Sequence, residues 1–104
     1  MDPSVRFTPQ AVEDLDDIWA FIAEDDRDAA DRVESEIVAS CRRLAKHPGM
    51  GARRQDATRL LVRFWIVTKF PNYVIVYRPE TRPLQVIAVL HGKRDLKEVL
   101  EKRT

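Results

Sequence analysis

Arg63, Trp65, Arg78 and His91 are the residues of this chain whose types and spacing could do chemistry. Alternation with period two places them on one face of a β-sheet with Val74, Val76, Ile87 and Val89, an apolar strip with charges at the strand ends. Left uncovered, such a strip is a binding surface, because an exposed apolar patch on a soluble monomer usually meets a partner. The same residues admit a plainer role, with Arg63 and Arg78 in salt bridges to nearby acids and His91 hydrogen-bonded at a strand end. Other chemistries lack their parts. The two histidines and single cysteine stand on separate elements without the spacing of a zinc site. Neither a glycine-rich phosphate loop nor a Ser-His-Asp arrangement occurs, so no metal or other cofactor is expected. Cys41 falls on an apolar helical stripe and reads as a small packed hydrophobe rather than a nucleophile.

The elements that must position these residues follow from periodicity. Tyr73 to Tyr77 and Leu84 to Leu90 are runs rich in β-branched and aromatic residues, and the turn-forming segment Pro79 to Pro83 joins them into a hairpin. Leu60 to Phe70 reads as a third, long strand. Its Val62, Phe64 and Ile66 are expected to share a face with Tyr73, Ile75, Tyr77, Val86, Ala88 and Leu90, apolar enough to receive helices. Upstream, Val5-Arg6-Phe7 makes a short strand, and Thr8-Pro9 opens a helix with the stripe Val12, Leu15, Trp19, Ile22 and with Glu13, Asp14, Asp16 and Asp17 on its polar side. Asp26 or Asp28 caps a second helix with the buried line Ala30, Val33, Ile37, Cys41, Leu44, and His47-Pro48-Gly49 stops it. The short connection makes the two helices an antiparallel hairpin. Leu96, Val99 and Leu100 mark a short amphipathic C-terminal helix.

At 104 residues the chain suits one domain, 1–104, and its composition of 44% hydrophobic and 34% charged residues is that of a folded protein. No apolar run approaches the length of a membrane span, and Met-Asp-Pro-Ser lacks the regions of a signal peptide, so a cytoplasmic protein with no membrane contact is expected. The net charge of +1 hides an asymmetry. Through Ala45, twelve acids face five bases, a net −7; from Lys46 on, thirteen bases face five acids, a net +8. Such a split steers partners of opposite charge to different sides.

The order of motifs is similar to a known family. A strand, a Thr-Pro-started helix with Asp14-Leu15-Asp16-Asp17-Ile18, and a second helix ending in Leu44-Ala45-Lys46-His47-Pro48-Gly49-Met50-Gly51 come first. Tyr73-Val-Ile-Val-Tyr-Arg78 and Val89-Leu-His-Gly-Lys-Arg-Asp95 follow. Together they resemble the RelE/ParE superfamily of bacterial type II toxins across nearly the whole chain. The resemblance implies an α+β fold: a short N-terminal strand, an antiparallel two-helix hairpin packed on one face of a largely antiparallel sheet, and a short C-terminal helix. It also implies a cognate antitoxin whose partly disordered segment wraps the toxin. Apolar grooves beside Trp19 and Ile22 and unpaired sheet edges make the hairpin and an exposed edge its expected path, with Leu15, Trp19, Ile22, Val33 and Ile37 as the residues expected to meet it.

Two branches of the superfamily differ in target. RelE-like members cut messenger RNA on the ribosome, and here His91 would serve as acid or base while Arg63, Arg78 and Arg94 stabilise the phosphate. After Arg94 the chain departs from that branch, since no tyrosine or second histidine follows. The Phe70-Pro-Asn-Tyr73 turn and the His91-Gly-Lys-Arg-Asp95 ending resemble ParE, whose members bind DNA gyrase and are not known to catalyse a reaction. The ParE-like reading makes Lys93, Arg94, Lys97, Arg78, Arg63 and Trp65 the target-binding residues, with Lys102 and Arg103 adding charge. Gyrase is then the target, and DNA is met only through gyrase or the antitoxin.

Overall fold

A computed structural model describes residues 3–54, 58–94 and 96–103. The order is β1 (Val5–Phe7), α1 (Pro9–Ala23), α2 (Arg27–Lys46), β2 (Arg63–Ile66), β3 (Tyr73–Arg78), β4 (Leu84–His91) and α3 (Leu96–Glu101). Local chemistry sets the helix starts. The Thr8 side chain accepts the Ala11 N–H at 3.2 Å with Pro9 in the first turn, and Asp26 accepts the Ala29 N–H at 3.0 Å. The sheet runs β1-β4-β3-β2, with β1 parallel to β4 and the other pairs antiparallel, so the fold is α+β with a mixed sheet.

Strand β2 is shorter than the apolar pattern suggests, and it faces the other way. It spans Arg63–Ile66 rather than Leu60 to Phe70. Its register sets Arg63 opposite Tyr77, Phe64 opposite Val76, Trp65 opposite Ile75 and Ile66 opposite Val74. Cross-strand partners share a face, so Arg63 and Trp65 lie on the helix side, and Phe64 and Ile66 on the far side. Strand β4 departs from strict alternation too. Val76 pairs with Ala88 but Tyr77 pairs with Val86, which leaves Ile87 as the extra residue of a bulge. Beyond that bulge Val89 and His91 join the helix side, whereas Ala88 and Leu90 turn to the far face. The expected face sets hold for Tyr73, Ile75, Tyr77 and Val86, and for Val74, Val76, Arg78 and Ile87; they are exchanged for the rest.

Both faces of the sheet are covered. On one, Val33, Ile37, Cys41 and Leu44 of α2 pack with Ile75, Tyr77, Val86 and Val89. On the other, Leu96 and Leu100 of α3 pack on Phe64, Val74, Val76, Ile87, Ala88 and Leu90. The open strip expected there is therefore mostly a second small core. Burial in the first core pushes the Cys41 thiol up to about 12, which leaves it unreactive. Helix α1 is rotated from its expected stripe: Val12 is 43% exposed, whereas Ala11 and Asp14 face inward. No described helix is long and apolar enough to cross a membrane.

Tyr77 joins this core to the loop after α2. Its hydroxyl donates to the Pro48 carbonyl at 2.6 Å and accepts the Gly51 N–H at 2.9 Å. Arg63 donates to the Gly51 carbonyl at 2.7 Å. A β-carbon on Gly51 would sit 2.6 Å from the Tyr77 hydroxyl oxygen and 3.0 Å from the Phe64 carbonyl oxygen, so only glycine fits. Tyr77→Phe should lose about 1–3 kcal/mol in urea unfolding, because the buried Gly51 N–H and the part-buried Pro48 carbonyl are orphaned. Burial also raises the Tyr77 pKa against the opposing pull of Gly51 and Arg63. The folded state thus favours the phenol over the phenolate, and the resulting stability is complete below about pH 10 and falls as pH rises above it. That alkaline loss should be smaller in Tyr77→Phe.

Candidate functional site

Strand β1 ends at Phe7, opposite Val86, so among the described residues no strand lies beside the outer edge of β4 from Ile87 onward. Side chains take the place of a strand. The Thr8 hydroxyl donates to the Ile87 carbonyl at 3.4 Å, and Arg103 Nη1 donates to the same oxygen at 3.0 Å. The Val89 N–H donates to Asp14 Oδ2 at 2.9 Å. Arg103 then grips Asp14 with both terminal nitrogens, at 2.6 and 2.8 Å. The two side chains are only 14% and 9% exposed. The hydrogen bond to Asp14 raises the Arg103 pKa further, so the guanidinium stays charged throughout the working range. Asp14, expected on the polar side of α1, and Arg103, expected to add to the basic surface, are instead internal, because the bulged edge needs a charged acceptor and donor.

Below this clamp, α1 and β4 bound a groove of about 360 Å³. Asp17, Ile18 and Phe21 form one wall, and Tyr73, Val89 and His91 stand across it. Phe21 is 72% exposed. Neither Ile18 nor Phe21 figured among the expected antitoxin contacts, although Asp14, Asp17, Ile18 and Phe21 share one helical stripe by their spacing of three and four. Of the expected contacts, Leu15 and Ile22 are half-buried against the core. Trp19 lies on the α1–α2 seam with Nε1 donating to Asp31 at 2.8 Å. Val33 and Ile37 are core residues at 6% and 0% exposure and present no surface.

At the lower end of the groove His91 meets Tyr73 edge-on, with ring centroids 5.7 Å apart at 80°. Its Nδ1 accepts the Lys93 backbone N–H at 3.2 Å. Lys93 and Arg94 are exposed in the turn after β4, and Lys97 is exposed on α3. These three cations and His91 therefore gather at one end of the sheet. Arg63 and Arg78 do not join them. His91 is opposite Tyr73, whereas Arg78 is opposite Gln85 and Arg63 opposite Tyr77. The five strand steps from Tyr73 to Arg78 span roughly 17 Å, too far for one phosphate to be shared. Trp65 is half-buried on the helix side, packed against the core.

Comparison with known proteins agrees with this architecture. The family model described as ParE toxin of type II toxin-antitoxin system, parDE, matches residues 5–96. A protein of Sinorhizobium fredii (strain NBRC 101917 / NGR234) named "Putative toxin Y4kP" is 36% identical over 97 residues, covering 92% of this chain and 95% of its own. The solved structure described as chromosomal ParDE TA system from P. aeruginosa shares the fold, with a TM-score of 0.67 at 19% identity over 84% of this chain and 92% of that one.

The clamp yields a stability prediction. Arg103→Ala should cost about 3–5 kcal/mol in chemical unfolding, since it leaves a buried carboxylate unpaired. Arg103→Lys should recover only part, because an ammonium cannot grip both carboxylate oxygens and the Ile87 carbonyl in the same fork. Amide exchange at Val89 should rise in step. Unchanged stability in Arg103→Ala would refute the structural role of the pair.

Proposed function

This chain belongs to the ParE toxin family of type II toxin–antitoxin systems, and from that premise we propose that it arrests bacterial growth by binding DNA gyrase and is neutralised by a cognate antitoxin in the cytoplasm. The observation that carries the target reading is the end of the sheet where Lys93, Arg94 and Lys97 stand exposed beside His91. Such a patch suits a partner that works on DNA, and its binding weakens as salt rises. Binding rather than catalysis is the better account, because the nuclease alternative needs His91, Arg94, Arg63 and Arg78 around one phosphate and the register separates them into two groups. DNA is then approached only through gyrase or the antitoxin.

The antitoxin's tail lies in the groove between α1 and β4, with an apolar side chain on Phe21 and basic residues toward Asp17 and the acidic helices. Charge supports this choice, since the residues through Ala45 carry a net −7. The β4 edge beside the groove adds backbone groups suited to an extended segment.

Two sets of variants test the two halves separately. Lys93→Glu with Lys97→Glu, both outside the groove lining, should fold, retain antitoxin and lose both growth inhibition and inhibition of gyrase supercoiling. Phe21→Asp should remain toxic, bind antitoxin at least about tenfold more weakly and escape neutralisation in cells. If the purified parent leaves supercoiling untouched at every salt concentration, the gyrase reading is wrong. If Phe21→Asp is neutralised as well as the parent, the groove does not hold the antitoxin.

A further inference from the structure

On the far face of the sheet, α3 stops short of the edge strand and leaves a hollow of about 360 Å³ beside β2. Phe64, Val74 and Leu96 form its floor, and Pro71 part of its wall. Ile66 stands at its mouth 60% exposed, a large aliphatic side chain on an edge strand. The described rim is cationic or neutral. Arg54 stacks over the Phe64 ring at 5.7 Å, while His91 and Lys93 stand on the opposite side. None of the described lining residues is acidic, whereas the α1–β4 groove is lined by Asp17 and Arg94 besides the Asp14 carboxylate that Arg103 pairs.

We infer that this hollow seats an acidic segment of a protein partner, one large apolar side chain entering between Ile66, Pro71 and the floor while flanking carboxylates meet His91 and Lys93. The inference deepens the proposed target contact and depends on it only for the partner's identity. Charge sets the sign of the segment, and the apolar floor sets its class. A nucleic-acid backbone offers nothing apolar to fill such a floor, and a base needs an open aromatic face, which Phe64 lacks at 5% exposure beneath Arg54. A buried apolar anchor ringed by satisfied charges is how a protein segment gains affinity from a small area.

The test measures binding of a labelled peptide of glutamates and aspartates around one phenylalanine. Replacing that phenylalanine by serine should weaken binding about tenfold or more, the worth of one buried aromatic side chain. Ile66→Asp should weaken the phenylalanine peptide to a similar degree with the melting temperature unchanged, because Ile66 is exposed. Phe21→Asp, on the other face, should bind it as the parent does. Equal binding of the two peptides, no loss in Ile66→Asp, or tighter binding of a duplex oligonucleotide at the same salt would overturn the inference. Gyrase assays separate the two readings. Equal supercoiling inhibition by parent and Ile66→Asp sinks the hollow and spares gyrase as target. Anchored peptide binding by a protein that leaves gyrase untouched does the reverse.

Discussion

Strand β4 outruns its neighbour, and the need to close its edge shapes much of this small protein. A buried strand edge must find partners for its N–H and C=O groups, and β1 supplies them only as far as Val86. Past that point the partners are Thr8, Asp14 and Arg103. Because Asp14 belongs to α1 and Arg103 follows α3, one ion pair joins the helix on one face of the sheet to the helix on the other, around its open side. A neutral pair could not do this as well. The carboxylate accepts a backbone N–H and two guanidinium N–H groups at once, and the guanidinium has a donor left for the Ile87 carbonyl.

The same edge accounts for where surfaces remain. The clamp occupies β4 near Ile87 and Val89, and the groove that carries Phe21 begins where the clamp ends. On the far face the short α3 buries Leu96 and Leu100 but leaves the corner by Ile66 uncovered. His91, at the end of β4, borders both hollows. The described residues thus present two apolar recesses that meet at His91, one with Asp17 and Arg94 in its lining and one with Arg54 and Lys93 on its rim.

What the sequence determined by itself was whatever depends on neighbours along the chain. Helix starts at Thr8-Pro9 and Asp26, the β3–β4 hairpin, the buried line of α2 and the amphipathic α3 are local, and periodicity with capping chemistry finds them. The order of those motifs was enough to reveal the family. The basic cluster at Lys93, Arg94 and Lys97 was also legible, because a turn followed by a short helix keeps close residues together.

Only the tertiary structure decided the rest. Which face of β2 turns inward depends on how many residues the Val67-to-Tyr73 connection spends in turning, and one step changes the parity of every side chain. The bulge at Ile87 does the same within β4 and moves Val89 and His91 to the helices. Arg63, Arg78 and His91 looked like one surface because alternation records parity but not position along the strand. Asp14 and Arg103 read as ordinary surface charges, since nothing within a few residues of either shows that they meet across the fold. A charge becomes structural here through a strand edge left bare far away in sequence, and only the folded chain brings that edge to it.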